Sequence, residues 1–150
     1  MHVPSSDNDF GAPHAALLLS SFARVTGRPL IADATAQSLY QSSQIVLSHN
    51  GAEDPVLTYG NLAAQTLWEM CWADLTHLPS RLTAEPQHRE TRAEMFEQMR
   101  RRGFIDNYAG IRISASGRRF RIHKAVIWPL INAAGVKFGE AATFSEYEYL

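Results

Sequence analysis

Apolar residues in the first third of this chain recur at helical spacing, and in the last third they alternate as in strands. The stretch before Pro13, MHVPSSDNDFGA, is polar and broken by Gly, and reads as a flexible tail over residues 1–12. From Pro13, which suits a first helical turn, Leu18, Phe22 and Val25 share one face, and Gly27 ends the helix. Asp33 is placed to cap a second, short helix through Tyr40. These two elements make residues 13–43 an N-terminal helical extension.

The main domain begins at residue 44. QIVLSH (44–49) reads as a short buried strand, the polar HNGAEDP as a turn, and Val56 to Tyr59 as a second strand. Asn61 is an N-cap for the helix NLAAQTLWEM. A loop rich in Pro and Thr leads to the longest helix, Pro86 to Arg102, whose last-turn arginines suit the helix dipole and which Gly103 stops. Beyond it, Ile105, Ala109, Ile111 and Ile113 alternate with Asp106, Tyr108 and Arg112. After the SASG turn, Phe120, Ile122, Val126, Trp128 and Leu130 line one side of a long strand; after NAAG, Val136 to Ser145 is the last. Two strands, several helices and a three-stranded meander predict an α+β fold with helices on an antiparallel sheet.

A chain of 150 residues suits one domain with a core of its own, and its apolar fraction of 45% is ordinary. The formal net charge of −1 supplies no overall pull toward nucleic acid or an anionic membrane. Cys71 is the single cysteine, which excludes an internal disulfide and a cysteine-rich zinc site. With neither a secretory leader nor a long apolar run, a cytoplasmic protein with no membrane partner is expected.

The segments IVLSHNGAEDPVLTYGNLAAQTLWEM, DLTHLPSRLTAEP, GFIDNYAGIRISASGRRFRIHKAVIWPLI and GEAATFS resemble the MEKHLA family, a group of PAS-like domains. PHAALLLSSFARVTGRPL resembles that family's N-terminal extension, so the likeness spans nearly the whole chain. It implies a PAS-like five-stranded antiparallel sheet with helices on one side, over residues 44–150, and a sensory or regulatory role. Plant relatives carry the domain behind a homeodomain and leucine zipper, whereas bacterial relatives are commonly free-standing. The resemblance implies no particular ligand, so the cofactor is unknown.

Light-sensing flavin domains of the PAS superfamily place a reactive cysteine and an arginine before the long helix. Ser80 and Arg81 stand there in this chain. A serine forms no thiol adduct, and the amides that read a flavin's polar edge have no counterparts at Arg112 or Ile113, at Ile122 or His123, or in GEAATFS. For haem, His77 or His88 lies near the relevant segment, but a lone histidine more often caps a helix or faces solvent. No HExxH, paired-His spacing, Gly-x-Ser-x-Gly or Gly-rich phosphate loop is present. Arg118, Arg119, Arg121 and Lys124 form a basic cluster that reads as a solvated strand face rather than a nucleic-acid site.

The candidate ligand-binding residues are therefore the aromatics expected around a PAS cavity, Tyr59, Trp68, Trp72 and Trp128, with Ser80, Arg81, Asn107 and Arg112. An inward amide or guanidinium needs a partner, either a carboxylate such as Glu85 or a ligand; Arg81 and Glu85 can equally pair with each other. The favoured reading is a non-enzymatic sensor that binds an unidentified small molecule and signals through protein contacts. Leu17, Leu18, Leu19 and Phe22 exceed one helix face, which suggests a homodimer through the N-terminal helix. The alternative is a ligand-free interaction module with a filled core, and an enzyme on the same scaffold ranks last.

Overall fold

The computed structural model describes residues 2–86 and 89–150. Helix α1 (Ala12–Thr26) and the short α2 (Ala36–Gln41) precede β1 (Ile45–Asn50) and β2 (Leu57–Gly60). Helices α3 (Leu62–Trp68), α4 (Trp72–Leu75) and α5 (Arg89–Arg102) lead to β3 (Ile105–Ile113), β4 (Arg119–Ile131), β5 (Lys137–Phe144) and β6 (Glu146–Tyr149). The strands form one antiparallel sheet in the order β2-β1-β5-β4-β3.

The residues ahead of α1, expected as a tail, carry a capped 3-10 turn at Ser6–Asn8. Gly11 and Gly27, both left-handed, bracket α1. Thr35, rather than Asp33, caps α2, its hydroxyl accepting from the Ser38 amide; Asp33 accepts from the Ser38 hydroxyl instead.

Both faces of the sheet are covered. Val46 of β1, Ala141 of β5 and Val126, Trp128 and Leu130 of β4 meet Ala15, Leu18 and Phe22 of α1 on the outer face. Ile45, Leu47, Phe120, Ile122, Ala125 and Phe144 meet Ala64, Leu67 and Trp68 of α3 on the inner face. Leu17, Leu19 and Val25 are half-buried against the outer core. The apolar surplus of α1 is thus largely taken up within the chain.

Two bulges alter the strand pattern. At Asn107 (φ 51°) the four β3 residues from Ile105 to Tyr108 span the distance that the three from Ile127 to Ala125 cover on β4. At Lys124 (φ 52°) the excess falls on β4, where Ala125 to Ile122 faces only Tyr108 to Gly110. Each extra residue reverses the alternation beyond it. Phe120 and Ile122 therefore face inward while Val126, Trp128 and Leu130 face α1, not one common side as simple alternation predicts. By the same shift Tyr108 is buried and Ala109 exposed. The first bulge also calls for Gly110, because the Tyr108 ring lies where a side chain would stand.

Strand β6 is absent from the sequence reading. It continues β5 past a break at Ser145 and pairs with the first part of β4, Phe120 opposite Tyr149 and His123 opposite Glu146. Its four residues are all exposed, so no buried face marks it in the sequence.

Candidate functional site

Between the inner sheet face and α5 lies a cavity of about 410 Å³. Its floor is apolar, from Leu47, Leu57, Ile105, Ile127 and Ala142. Its roof is α5, which turns Arg92, Met95, Phe96 and Met99 toward it. The sequence explains this helix's place: RETRAEMFEQMRRR has too few apolar residues to bury a whole face, and among its described side chains only Met95 and Met99 join the inner core. Gly103, left-handed at φ 84°, turns the chain back toward β3.

The polar groups of the cavity come from the sheet and the loop before α5. Register places Glu140 opposite His49, and its carboxylate lies 3.8 Å from His49 Nε2 and 3.0 Å from Lys137 Nζ. Gly139, beside them, has φ 143° and packs against the His49 carbonyl so closely that no side chain fits. Ser80 and Thr83 line the cavity from a 3-10 turn held by the Ser80 amide, which donates to the Pro55 carbonyl at 2.7 Å. Arg112 enters from β3; its Nη1 donates to the Ile111 carbonyl at 3.2 Å, and its guanidinium lies 5.4 Å from the centre of the Tyr108 ring.

The candidate residues divide among several places. Ser80 and Arg112 line the cavity. Trp68 is buried in the inner core, 5.2 Å from Phe120 ring to ring, with its indole N–H donating to the Thr83 carbonyl. Tyr59, Trp72 and Trp128 lie in the outer core beneath α1 and α2, where Tyr59 meets Trp72 edge-on and Trp128 meets Phe22. Asn107 is exposed at its bulge. Arg81 is exposed and pairs with Asp54 at 3.3 Å, while Glu85 pairs with Arg119, so these two do not pair with each other. The Arg119 guanidinium holds the Glu85 carboxyl below its ordinary range. Glu85 is likewise not the partner of Arg112.

The cavity includes groups that the sequence reading did not select: His49, Arg92, Met95, Met99, Lys137 and Glu140. The helical spacing of Arg92, Met95 and Met99 carried the signal for three of them. His49 and Glu140 are 91 positions apart in sequence and meet only through strand register.

Each residue of the basic cluster at the start of β4 has a partner within the chain, a carboxylate for all but Arg118. Arg118 stacks on Tyr149, Arg119 pairs with Glu85, Arg121 with Glu148 and Lys124 with Glu146. Cys71 is exposed and free at the start of α4, away from the cavity. His77 is exposed and bonds to the Ala73 carbonyl; His88 lies outside the described residues. Among the described residues no three His, Cys, Asp or Glu side chains are grouped to hold a metal, and no helix is long and apolar enough to cross a membrane.

On the outer face, His14 of α1 shares a 2.9 Å hydrogen bond with the buried Ser48 hydroxyl, which in turn lies 2.9 Å from Thr58 Oγ1. Burial pushes the His14 pKa below its ordinary value, because a charged ring would lose its hydration there. The unfolded chain therefore binds a proton more readily than the folded one. The resulting stability is full above about pH 6.5 and is lost as pH falls below it. Urea denaturation at pH 7.5 and pH 5.5 is expected to show this loss, and His14→Gln to reduce it.

An antiparallel sheet whose main path runs 2-1-5-4-3, with β6 added beside β4 and a helix-roofed cavity on one face, defines a PAS-like domain. Solved structures agree. The PAS domain of a protein from Colwellia psychrerythraea is 11% identical, with a TM-score of 0.62 over 77% of this chain and 92% of that one. The light-state dimer of the fungal blue-light photoreceptor Vivid is 12% identical, with a TM-score of 0.58 over 86% and 93% of the two chains. An RNA-binding Light-Oxygen-Voltage receptor is 18% identical, with a TM-score of 0.59 over 71% of this chain and 30% of the receptor. The chain belongs to the MEKHLA domain family, whose model matches residues 12–149. No curated protein has a matching sequence.

A flavin, such as the analogue studied in a Light-Oxygen-Voltage domain of similar fold (14% identical, TM-score 0.58 over 77% of this chain and 83% of that one), does not fit this lining. Among the described residues the cavity presents no Asn, Gln or Cys side chain. The ring edge would thus find no amides and the photoproduct no sulfur.

Proposed function

We propose that this protein is a non-enzymatic sensor that binds a small organic molecule between the sheet and α5. The observation that carries this reading is the cavity of about 410 Å³ under a helix that only two methionines tie to the core. That volume lies in the range of small-molecule sites. An element with so few buried contacts opens at low free-energy cost. A ligand that touches α5 and the sheet together would favour the closed arrangement, and the difference in affinity between states is the signal. The change would pass through α5 to a protein partner. A second copy of the chain is one such partner, but α1 has limited apolar surface to offer it, and deleting α1 would uncover Trp128 and the outer core.

The test compares the wild type with Ala142→Trp, which fills the cavity from the middle of β5. Native mass spectrometry of the purified proteins, with and without denaturation, and an NMR screen of small metabolites are the readouts. A molecule held by the wild type and lost in a folded Ala142→Trp variant is the expected result. A wild type at its bare mass, with no binder sensitive to Ala142→Trp, would replace the sensor with a ligand-free interaction module.

A further inference from the structure

The charges around the cavity are not balanced, and the imbalance points to the ligand's chemistry. Glu140 is the only carboxylate in the lining described, and it is engaged by both Lys137 and His49. Two guanidinium groups, Arg92 and Arg112, remain without a carboxylate partner among the described residues. Arg92 is exposed on the helix side of the mouth, where water solvates it. Arg112 is half-buried on the inner face, opposite the fully buried Phe120 in register. One of its five N–H groups donates to the neighbouring Ile111 carbonyl, and its plane is steadied over Tyr108. A guanidinium fixed in this way presents a planar fork that matches a carboxylate, and it is costly to withdraw from water without one.

The rest of the lining is apolar and adaptable. Leu57, Ile105 and Ile127 offer no polar group, and Met95 and Met99 are unbranched side chains that reshape around varied tails. We infer that the cavity takes an amphipathic monocarboxylate, its carboxylate on Arg112 with Arg92 closing from α5, its apolar body on the sheet between them. The inference rests on the sensor reading, because it needs the same cavity to be a binding site. It also joins the anion to the moving element: a carboxylate held by a β3 arginine and an α5 arginine ties the roof to the floor.

The experiment uses octanoate and octan-1-ol, which share a chain and differ in the charged end, each titrated by calorimetry into the wild type, Arg112→Gln and Ala142→Trp, with folding checked by circular dichroism. Octanoate is expected to bind the wild type about tenfold or more tightly than octan-1-ol, the scale of one hydrogen-bonded charge pair. Arg112→Gln should remove that preference while leaving octan-1-ol binding in place, and Arg112→Lys should restore part of it. Ala142→Trp should abolish both. Equal binding of the two probes, or a preference that survives Arg112→Gln, would overturn the carboxylate inference and leave the sensor reading standing. Binding of inorganic phosphate as tight as that of octanoate would overturn it too, since the apolar body would then contribute nothing. If neither probe binds, the inference fails, and the Ala142→Trp metabolite screen decides the sensor reading separately.

Discussion

Asn61→Ala is expected to destabilise the protein by about 3–4 kcal/mol, close to the upper end for a single substitution. The side chain is fully buried and all its hydrogen-bonding capacity is used. Its Oδ1 accepts from the amides of Val46 at 3.2 Å and Ala64 at 3.1 Å. Its Nδ2 donates to the carbonyls of Leu39 at 3.1 Å and Gln44 at 2.7 Å. The residue therefore caps α3 and also ties α2 to the first strand. Alanine would leave all four backbone groups without this partner in a place water does not reach. Asn61→Asp keeps the acceptor but sets a carboxylate against two carbonyls, so it should also be destabilising, less so at low pH where the acid can donate. Urea denaturation of the three proteins at pH 7 and pH 5 checks both expectations.

Trp128→Ala is expected to cost about 3–5 kcal/mol, the range for removing a large buried aromatic, and to lower Tm by roughly 10 °C for a domain of this size. Trp128 is fully buried and its ring centre lies 4.9 Å from that of Phe22, nearly perpendicular. Its indole N–H, like the Tyr59 hydroxyl, is buried with no hydrogen-bond partner among the described residues. Trp128→Phe should therefore cost much less, since it keeps an aromatic ring and removes an unsatisfied donor. Because Trp128 faces α1, binding in the cavity on the other face should be unchanged in the folded fraction of either variant. Thermal unfolding together with octanoate titration separates this packing role from a ligand role.

The same residue shows why parts of the site were not legible in the chain. Period-two alternation from Phe120 puts Trp128 beside Ile122, and nothing local at Lys124 announces a bulge, because lysine is not a residue that favours φ of 52°. The bulge is imposed by the sheet, where its offset partner at Asn107 keeps β3 and β4 in contact. Asn107 tolerates the left-handed conformation, so its residue type was compatible with a bulge, but an asparagine in a strand reads as readily as an inward amide.

Local rules were sufficient for much else. Pro13 sits in the first turn of α1 and Gly27 ends it, Asn61 caps α3, and Gly103 closes α5, because each of these depends on backbone preferences a few residues wide. The motif texts carried the family, and with it the PAS-like sheet, since a family likeness encodes the tertiary fold without deriving it. Tertiary structure alone decided which sheet face each aromatic covers, that Arg81 turns to Asp54 while Arg112 enters the cavity, and that His49 meets Glu140. It also decided where the charged α5 sits, as a roof resting on two methionines. The physical reason is common to all of these: strand register and bulges are set by contacts between distant segments, and one residue of offset sends a side chain to the opposite face.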